Sequence, residues 1–247
     1  MDNVSEPAEL ILDAKIAGRT SQQILTFRNQ CLWLYRRPHK TIYGCFCKGM
    51  EVKKEKTVTF SVLQTNMQFA VKLVSIQQYE RTRRDLVEDP YNEIHISRHI
   101  LKVLNDTRAI IQNGIIVPLN VLSNRLQNNI ADEEKYYFVI SQLANKKDLY
   151  DNVVEDNLSN DMEAIRRLFK QMVKAINCLH NQLGVFHRDL SVENFVLNND
   201  GSGNDRIFVI DFGQAKVINR DIKQIPHDKG YFGKVSTDSD RFASIVT

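Results

Sequence analysis

Two short runs of this chain carry residue types that could move a phosphoryl group: His187-Arg188-Asp189-Leu190-Ser191-Val192-Glu193-Asn194 and Val209-Ile210-Asp211-Phe212-Gly213. Phosphoryl transfer asks little covalent help from a protein. It needs the phosphates held in line with the acceptor and their shifting charge neutralised. A carboxylate such as Asp189 can orient an acceptor hydroxyl and take its proton. The amide oxygen of Asn194 and the carboxylate of Asp211 are hard donors suited to magnesium. Singly, each run is weak, because His-Arg-Asp is a common triplet and Asp-Phe-Gly makes a plausible turn after any strand. In this order, behind an apolar helix and between strands, they make a strong combined signal.

Elements on either side must hold these groups. Asp161 to Leu183 carries Ile165, Leu168, Phe169, Met172, Ile176 and Leu179 at the three-and-four spacing of a buried helical stripe, with Asn160 or Asp161 as N-cap. Asn194 to Leu197 and Arg206 to Ile210 read as a short strand pair joined by the polar turn Asn198 to Asp205. Upstream, Tyr35 to Phe46, Val52 to Val62 and Phe69 to Ser75 read as strands. Polar turns are expected at Lys53-Lys54-Glu55-Lys56 and Gln64-Thr65-Asn66. Leu86 to Asn105 follows as a helix, then Ile115 to Leu122 and Lys135 to Leu143 as strands. Residues 1 to 36 mix charged and apolar positions and read as a helical extension outside the core domain.

Composition bounds the rest. A chain of 247 residues can bury one good core or one two-lobed domain. A formal charge of +3 points to neither a nucleic-acid groove nor a membrane surface. There is no apolar run of about 18 residues to span a bilayer. Met1 to Glu6 lacks the features of a signal peptide. Cys31, Cys45, Cys47 and Cys178 form no zinc-type pairs and read as free thiols of a reducing compartment, the cytosol or nucleus.

The two runs resemble the catalytic loop and magnesium loop of the eukaryotic protein kinase family, leaning to the serine/threonine class through Glu193. The resemblance covers roughly residues 37 to 245. It implies an α+β, two-lobed fold: a small lobe over 37–143, an antiparallel sheet with one helix, and a mostly helical, incomplete large lobe over 144–247. It implies ATP and Mg2+ as cofactors and a protein as acceptor. Phe69-Ala70-Val71-Lys72 looks like the strand of the ATP-anchoring lysine, and Glu93 like its carboxylate partner. Asp189 takes the catalytic role, and Asn194 and Asp211 hold metal. Gly44 and Gly49 mark the phosphate-covering loop, with Phe46 near its tip. Backbone groups of Ser141, Gln142 and Leu143 bond adenine, with Ile140 at the inner end of their strand. Asp148 either reaches the ribose or caps the helix starting near Lys147. Arg188 docks a phosphorylated activation segment whose acceptors are Ser236, Thr237 and Ser239.

Several positions depart from the family pattern. Two glycines at most stand where three are usual, and Ser191 replaces a lysine that steadies the γ-phosphate. Ser97 stands where a large apolar residue normally packs on the Phe of Asp-Phe-Gly, which implies looser coupling between helix and metal loop. Gly230 to Val235 resembles a late activation segment with no Ala-Pro-Glu after it, and Asp240 to Val246 resembles the start of a long helix. Further helices are expected beyond Thr247, and without them apolar surface on the 161–183 helix is exposed. Two rival readings remain at this level: a pseudokinase that regulates a partner through its fold, and a small-molecule kinase of related fold.

Overall fold

A computed structural model describes residues 6–16, 18–41, 44–63, 68–82, 89–128, 132–155, 158, 161–199, 201 and 204–218. The chain divides into two compact units, Met1–Leu86 with Pro118–Leu143 and Val87–Val117 with Ala144–Thr247. This grouping differs from the expected 37–143 and 144–247 in two ways. Residues before 37 belong to the first unit, and residues 87–117 to the second. No helix among the described residues is long and apolar enough to cross a membrane.

The first unit contains strands β1 (Glu6–Pro7), β2 (Glu9–Ile16), β3 (Arg19–Phe27), β4 (Gln30–Thr41), β5 (Gly44–Lys56), β6 (Thr59–Val62) and β7 (Gln68–Ser75), helix α1 (Ile76–Thr82), then β8 (Asn120–Asn128) and β9 (Asp132–Gln142). They form one nine-stranded sheet in the order β1-β8-β9-β7-β5-β4-β3-β2-β6. β1 lies parallel to β8, and the Ala8 N–H that follows it donates to Ser123 O before the chain enters β2. The sheet therefore closes on itself. β6 pairs with both β5 and β2 and completes a smaller ring at one end.

Among the described residues of the expected helical extension over 1–36, the chain forms strands β1 to β4 instead. The misreading has a physical cause. Pairing of β2 with β3 shifts register between Ile11 and Ala14 and again before Ile16, so the two-residue alternation is broken in the sequence. Ala14, Ile16 and Ile24 nonetheless lie fully buried with Val52 and Phe60 in the smaller ring. The expected strand from Val52 to Val62 is a hairpin turning at Thr57-Val58, so Lys53 to Lys56 lie on β5 and not in a turn. Gln64 to Asn66 lie outside the described residues. A second core holds Leu25, Phe27, Leu32, Cys47, Val71, Leu122, Phe138 and Ile140.

The second unit holds α2 (Pro90–Leu104), α3 (Thr107–Gln112), α4 (Leu149–Glu155) and α5 (Met162–Asn177), with short strands β10 (Val185–Phe186), β11 (Phe195–Asn199), β12 (Asp205–Val209) and β13 (Lys216–Val217). α2 starts later than expected because Asp89 caps it, accepting from Tyr91 N–H at 2.9 Å, and Pro90 opens the first turn. It ends at Asn105 in left-handed backbone. Asp161 caps α5 as expected, accepting from Ala164 N–H. Leu168, Ile176 and Leu179 enter the core, whereas Met162 and Phe169 are exposed. A π-helical turn, Cys178–Gln182, carries the chain from α5 to β10. β11 and β12 make the expected hairpin.

Candidate active site

Three of the expected chemical groups meet within the second unit. The chain leaves β10 at His187, which is completely buried and whose Nε2 lies 2.9 Å from Ile210 O. Asp189 and Asn194 follow, and the Asn194 amide Nδ2 donates to Asp189 O at 2.8 Å and to Asp189 Oδ2 at 3.1 Å. Asn194 O in turn accepts from Ile210 N–H at 3.0 Å, next to Asp211. One asparagine thus ties Asp189 to the residue before Asp211. Because its amide nitrogen is engaged, the Asn194 Oδ1 is the atom left to face a cation.

Backbone strain marks the same place. Arg188 and Asp211 adopt left-handed φ values of 69° and 62°. A bulky side chain pays for such a conformation, and it persists where the surroundings determine it. Phe212 supplies part of that surrounding: it is fully buried in the core of the second unit, its ring 5.2 Å from that of His187. The Asp211 Oδ1 accepts from Gly213 N–H at 3.1 Å, which closes a turn and leaves Oδ2 outside it. Asn194 and Asp211 offer one amide and one carboxylate oxygen, a donor set that fits a hard cation whose other ligands are waters and phosphates. Among the described residues there is no cluster of three His, Cys, Asp or Glu.

α2 touches this loop through a residue that sequence reasoning missed. The Asn92 Nδ2 lies 2.8 Å from Ala215 O, 2.9 Å from Gly213 O and 3.4 Å from Phe212 O. The Asp89 N–H also donates to Gly213 O. Ser97, expected to loosen the link, donates its hydroxyl back to Glu93 O at 2.6 Å and is buried. The link is therefore made by polar groups one turn earlier. A signal existed in the sequence, an amide in the first turn of a helix, but nothing there pointed to partners about 120 residues away. Glu93 itself is buried in the first turn of α2.

Other expected positions lie in the first unit. Lys72 sits on β7 opposite Phe46 and Val139. Its neighbours Val71 and Leu73 point with Phe69 into the closed sheet's core, so Lys72 occupies the opposite face. Ile140 pairs with Val71 and joins that core, so it is not on the lysine's face; Ser141, opposite Ala70, is. Leu143 N–H donates to Gln68 O, which removes it from the backbone groups free to meet adenine.

The phosphate-covering loop expected at Gly44 to Gly49 is corrected to an unbroken stretch of β5. Gly49 pairs with Leu34 on one side and Phe69 on the other, and Phe46 stands in the strand rather than at a tip. Gly44 is explained by packing: a Cβ there would sit 2.0 Å from Leu73 O. Residues 42–43, between β4 and β5, lie outside the described residues. Asp148 resolves toward its capping role, accepting from Asp151 N–H at 2.8 Å at the start of α4. Gln142 pairs with Phe69 at the end of β9. Gly230 to Val235, Asp240 to Val246 and the acceptor candidates Ser236, Thr237 and Ser239 lie outside the described residues.

Comparison with known proteins agrees with this architecture. The family model described as "Protein kinase domain" matches residues 56–234. Ribosomal protein S6 kinase alpha-3 of Mus musculus is 29% identical over 181 residues, 70% of this chain and 20% of that protein. NUAK family SNF1-like kinase 2 of Rattus norvegicus is 26% identical over 66% of this chain and 22% of its own length. Serine/threonine-protein kinase CHK1 of Saccharomyces cerevisiae is 34% identical over 35% of this chain and 16% of its own. The chain spans about a fifth of the length of these relatives. With most of its length matched by that model, the chain belongs to the protein kinase family.

Proposed function

We propose that this chain transfers the γ-phosphate of ATP, with Mg2+, to serine or threonine hydroxyls of a protein. The observation that carries the reading is the bond from the Asn194 amide to the Asp189 carboxylate, with Asn194 O held by Ile210 N–H beside Asp211. Asp189 orients the acceptor hydroxyl and takes its proton late in transfer. Asn194 fixes the Asp189 carboxylate and turns its own Oδ1 to metal, and Asp211 offers the oxygen that its turn leaves outside. When bound, Mg2+ neutralises charge on the phosphates as the bond breaks. Lys72 is assigned to anchoring the phosphates. The serine/threonine choice is supported by Glu193 before Asn194 and by the name of the yeast relative. Four free cysteines support placement in the cytosol or nucleus.

Two features favour a second reading, a pseudokinase acting through its fold. Gly44 and Gly49 belong to a paired strand, so they supply no glycine-rich cradle for phosphate, and Ser191 stands in place of a γ-phosphate lysine. Transfer of labelled γ-phosphate from Mg-ATP to the chain itself and to generic protein substrates separates the readings. Transfer that Asp189→Ala abolishes supports the enzyme. A folded wild type that binds nucleotide without transferring phosphate, in this chain and in any longer natural form, supports the pseudokinase.

A further inference from the structure

We propose that Asn92 is a positioning residue for the metal-holding loop, setting Asp211 for magnesium from the first turn of α2. The inference rests on Asp211 being a metal ligand, as read above. A carboxamide has two N–H groups, and the two short contacts use both: Ala215 O at 2.8 Å and Gly213 O at 2.9 Å. These carbonyls flank the turn that follows Asp211. Gly213 also donates its N–H to the Asp211 Oδ1, so the residue held by Asn92 is the one that orients the carboxylate.

The anchor is rigid at its other end. Asp89 caps α2, and its own N–H reaches Gly213 O at 3.3 Å. Ile96 and Ile100 of the same helix share a core with Phe212. Asn92 therefore bridges a fixed helix turn and a loop whose Asp211 sits at a φ of 62°, a conformation that relaxes when its surroundings are released. Gly213 and Ala215 are buried, so their carbonyls cannot exchange the amide for bulk water. The Ser97 hydroxyl donates within the helix, to Glu93 O. The polar clamp acts beside the apolar core that Ile96 and Ile100 share with Phe212.

The test is titration of the full chain with a fluorescent ATP analogue, first with EDTA and then at increasing Mg2+. The variants are Asn92→Leu and Asn92→Asp, both close in size with no donors at neutral pH, and Asn92→Gln, which keeps the donors. Circular dichroism checks folding, and Asn92→Asp carries the test if Asn92→Leu does not fold. The expected result is about a tenfold rise in the Mg2+ concentration for half-saturation, the loss of one or two hydrogen bonds, in Leu and Asp. Metal-free nucleotide affinity stays within about twofold on the same reasoning, and Gln recovers part of the Mg2+ response. A wild type that responds to Mg2+ alongside variants that respond identically overturns the inference. So does a parallel loss of metal-free affinity, the mark of a merely structural role. A wild type indifferent to Mg2+ refutes the reading of Asp211, and the inference falls with it.

Discussion

Substituting Gly44 by alanine separates two accounts of why glycine stands there. If Gly44 lets a backbone approach phosphate, alanine weakens nucleotide binding and leaves stability alone. The geometry argues for strand packing instead. An added Cβ lies 2.0 Å from Leu73 O and 3.0 Å from Leu73 C, both backbone atoms of a paired strand that cannot rotate away. Reaching an ordinary carbon–oxygen contact opens the strands by more than about 1 Å. The nearby β5–β7 ladder, Gly44 with Val74 and Cys45 with Leu73, then loses about two hydrogen bonds. At roughly 1 kcal/mol each, with strain of about 1–3 kcal/mol, the total is about 3–5 kcal/mol. Alanine recovers about 0.5–1 kcal/mol through its smaller entropy loss, for a net cost of about 2–4 kcal/mol. The control is Gly49→Ala, whose Cβ meets the Val71 Cγ2 at 3.1 Å, a contact eased by a shift of a few tenths of an ångström; its cost is expected under about 1 kcal/mol. Urea denaturation followed by the fluorescence of the single tryptophan, Trp33 on β4, reports on this unit directly. An unchanged midpoint for Gly44→Ala, with nucleotide affinity alone reduced, refutes the packing argument.

Two further outcomes follow from side chains near α4. Asp148→Ala removes the acceptor for Asp151 N–H and lowers stability by about 1 kcal/mol, with nucleotide affinity unchanged; thermal melts and nucleotide titration together check it. Burial pushes the Asp205 carboxyl up, but hydrogen bonds from Lys146 and Asn199 outweigh it and hold the group below its ordinary value, with the Lys146 and Arg167 charges adding to the effect. A carboxyl depressed in the folded state stabilises it above the unfolded pKa, about 3.9, and that contribution fades as pH falls through the folded value. Lys146→Ala, which breaks a 2.8 Å ion pair, therefore costs about 0.5–1 kcal/mol at neutral pH, and the difference from wild type narrows below about pH 4 in denaturation series.

The site was legible wherever chemistry dictates residue type. A carboxylate is one of the few groups that can take a hydroxyl proton, and magnesium favours hard oxygen donors, so Asp189, Asn194 and Asp211 stand out in order as candidates from the sequence alone. Asn92 could not, because its role comes from where α2 ends up. Any short polar side chain in a first helical turn reads as a solvated or capping group. Gly44 was misread for a related reason. Glycine marks close backbone approach, and the sequence does not say whether phosphate or a neighbouring strand is what approaches. Asp148 stood between two readings until the distance to Asp151 N–H was known. Helix α5 and the β11–β12 hairpin were legible because apolar spacing and a polar turn are local signals, whereas β2 and β3 were hidden by shifted register.

Those hidden strands alter the account of Lys72. Its strand presents Phe69, Val71 and Leu73 to one face, and the core they enter is built partly from Leu25 and Phe27 on β3 and Leu32 on β4. Val71 and Leu25 are both fully buried. A two-residue alternation turns Lys72 to the opposite face only while its neighbours stay seated in that core. The residues before 37 close the sheet through β1 against β8 and β2 against β3, so they help fix the register and tilt of β7. A segment that reads as an appendage is therefore part of what aims the lysine. Loosening Leu25 or Phe27 would reach Lys72 through packing, because a closed sheet passes displacement from strand to strand rather than absorbing it at a free edge.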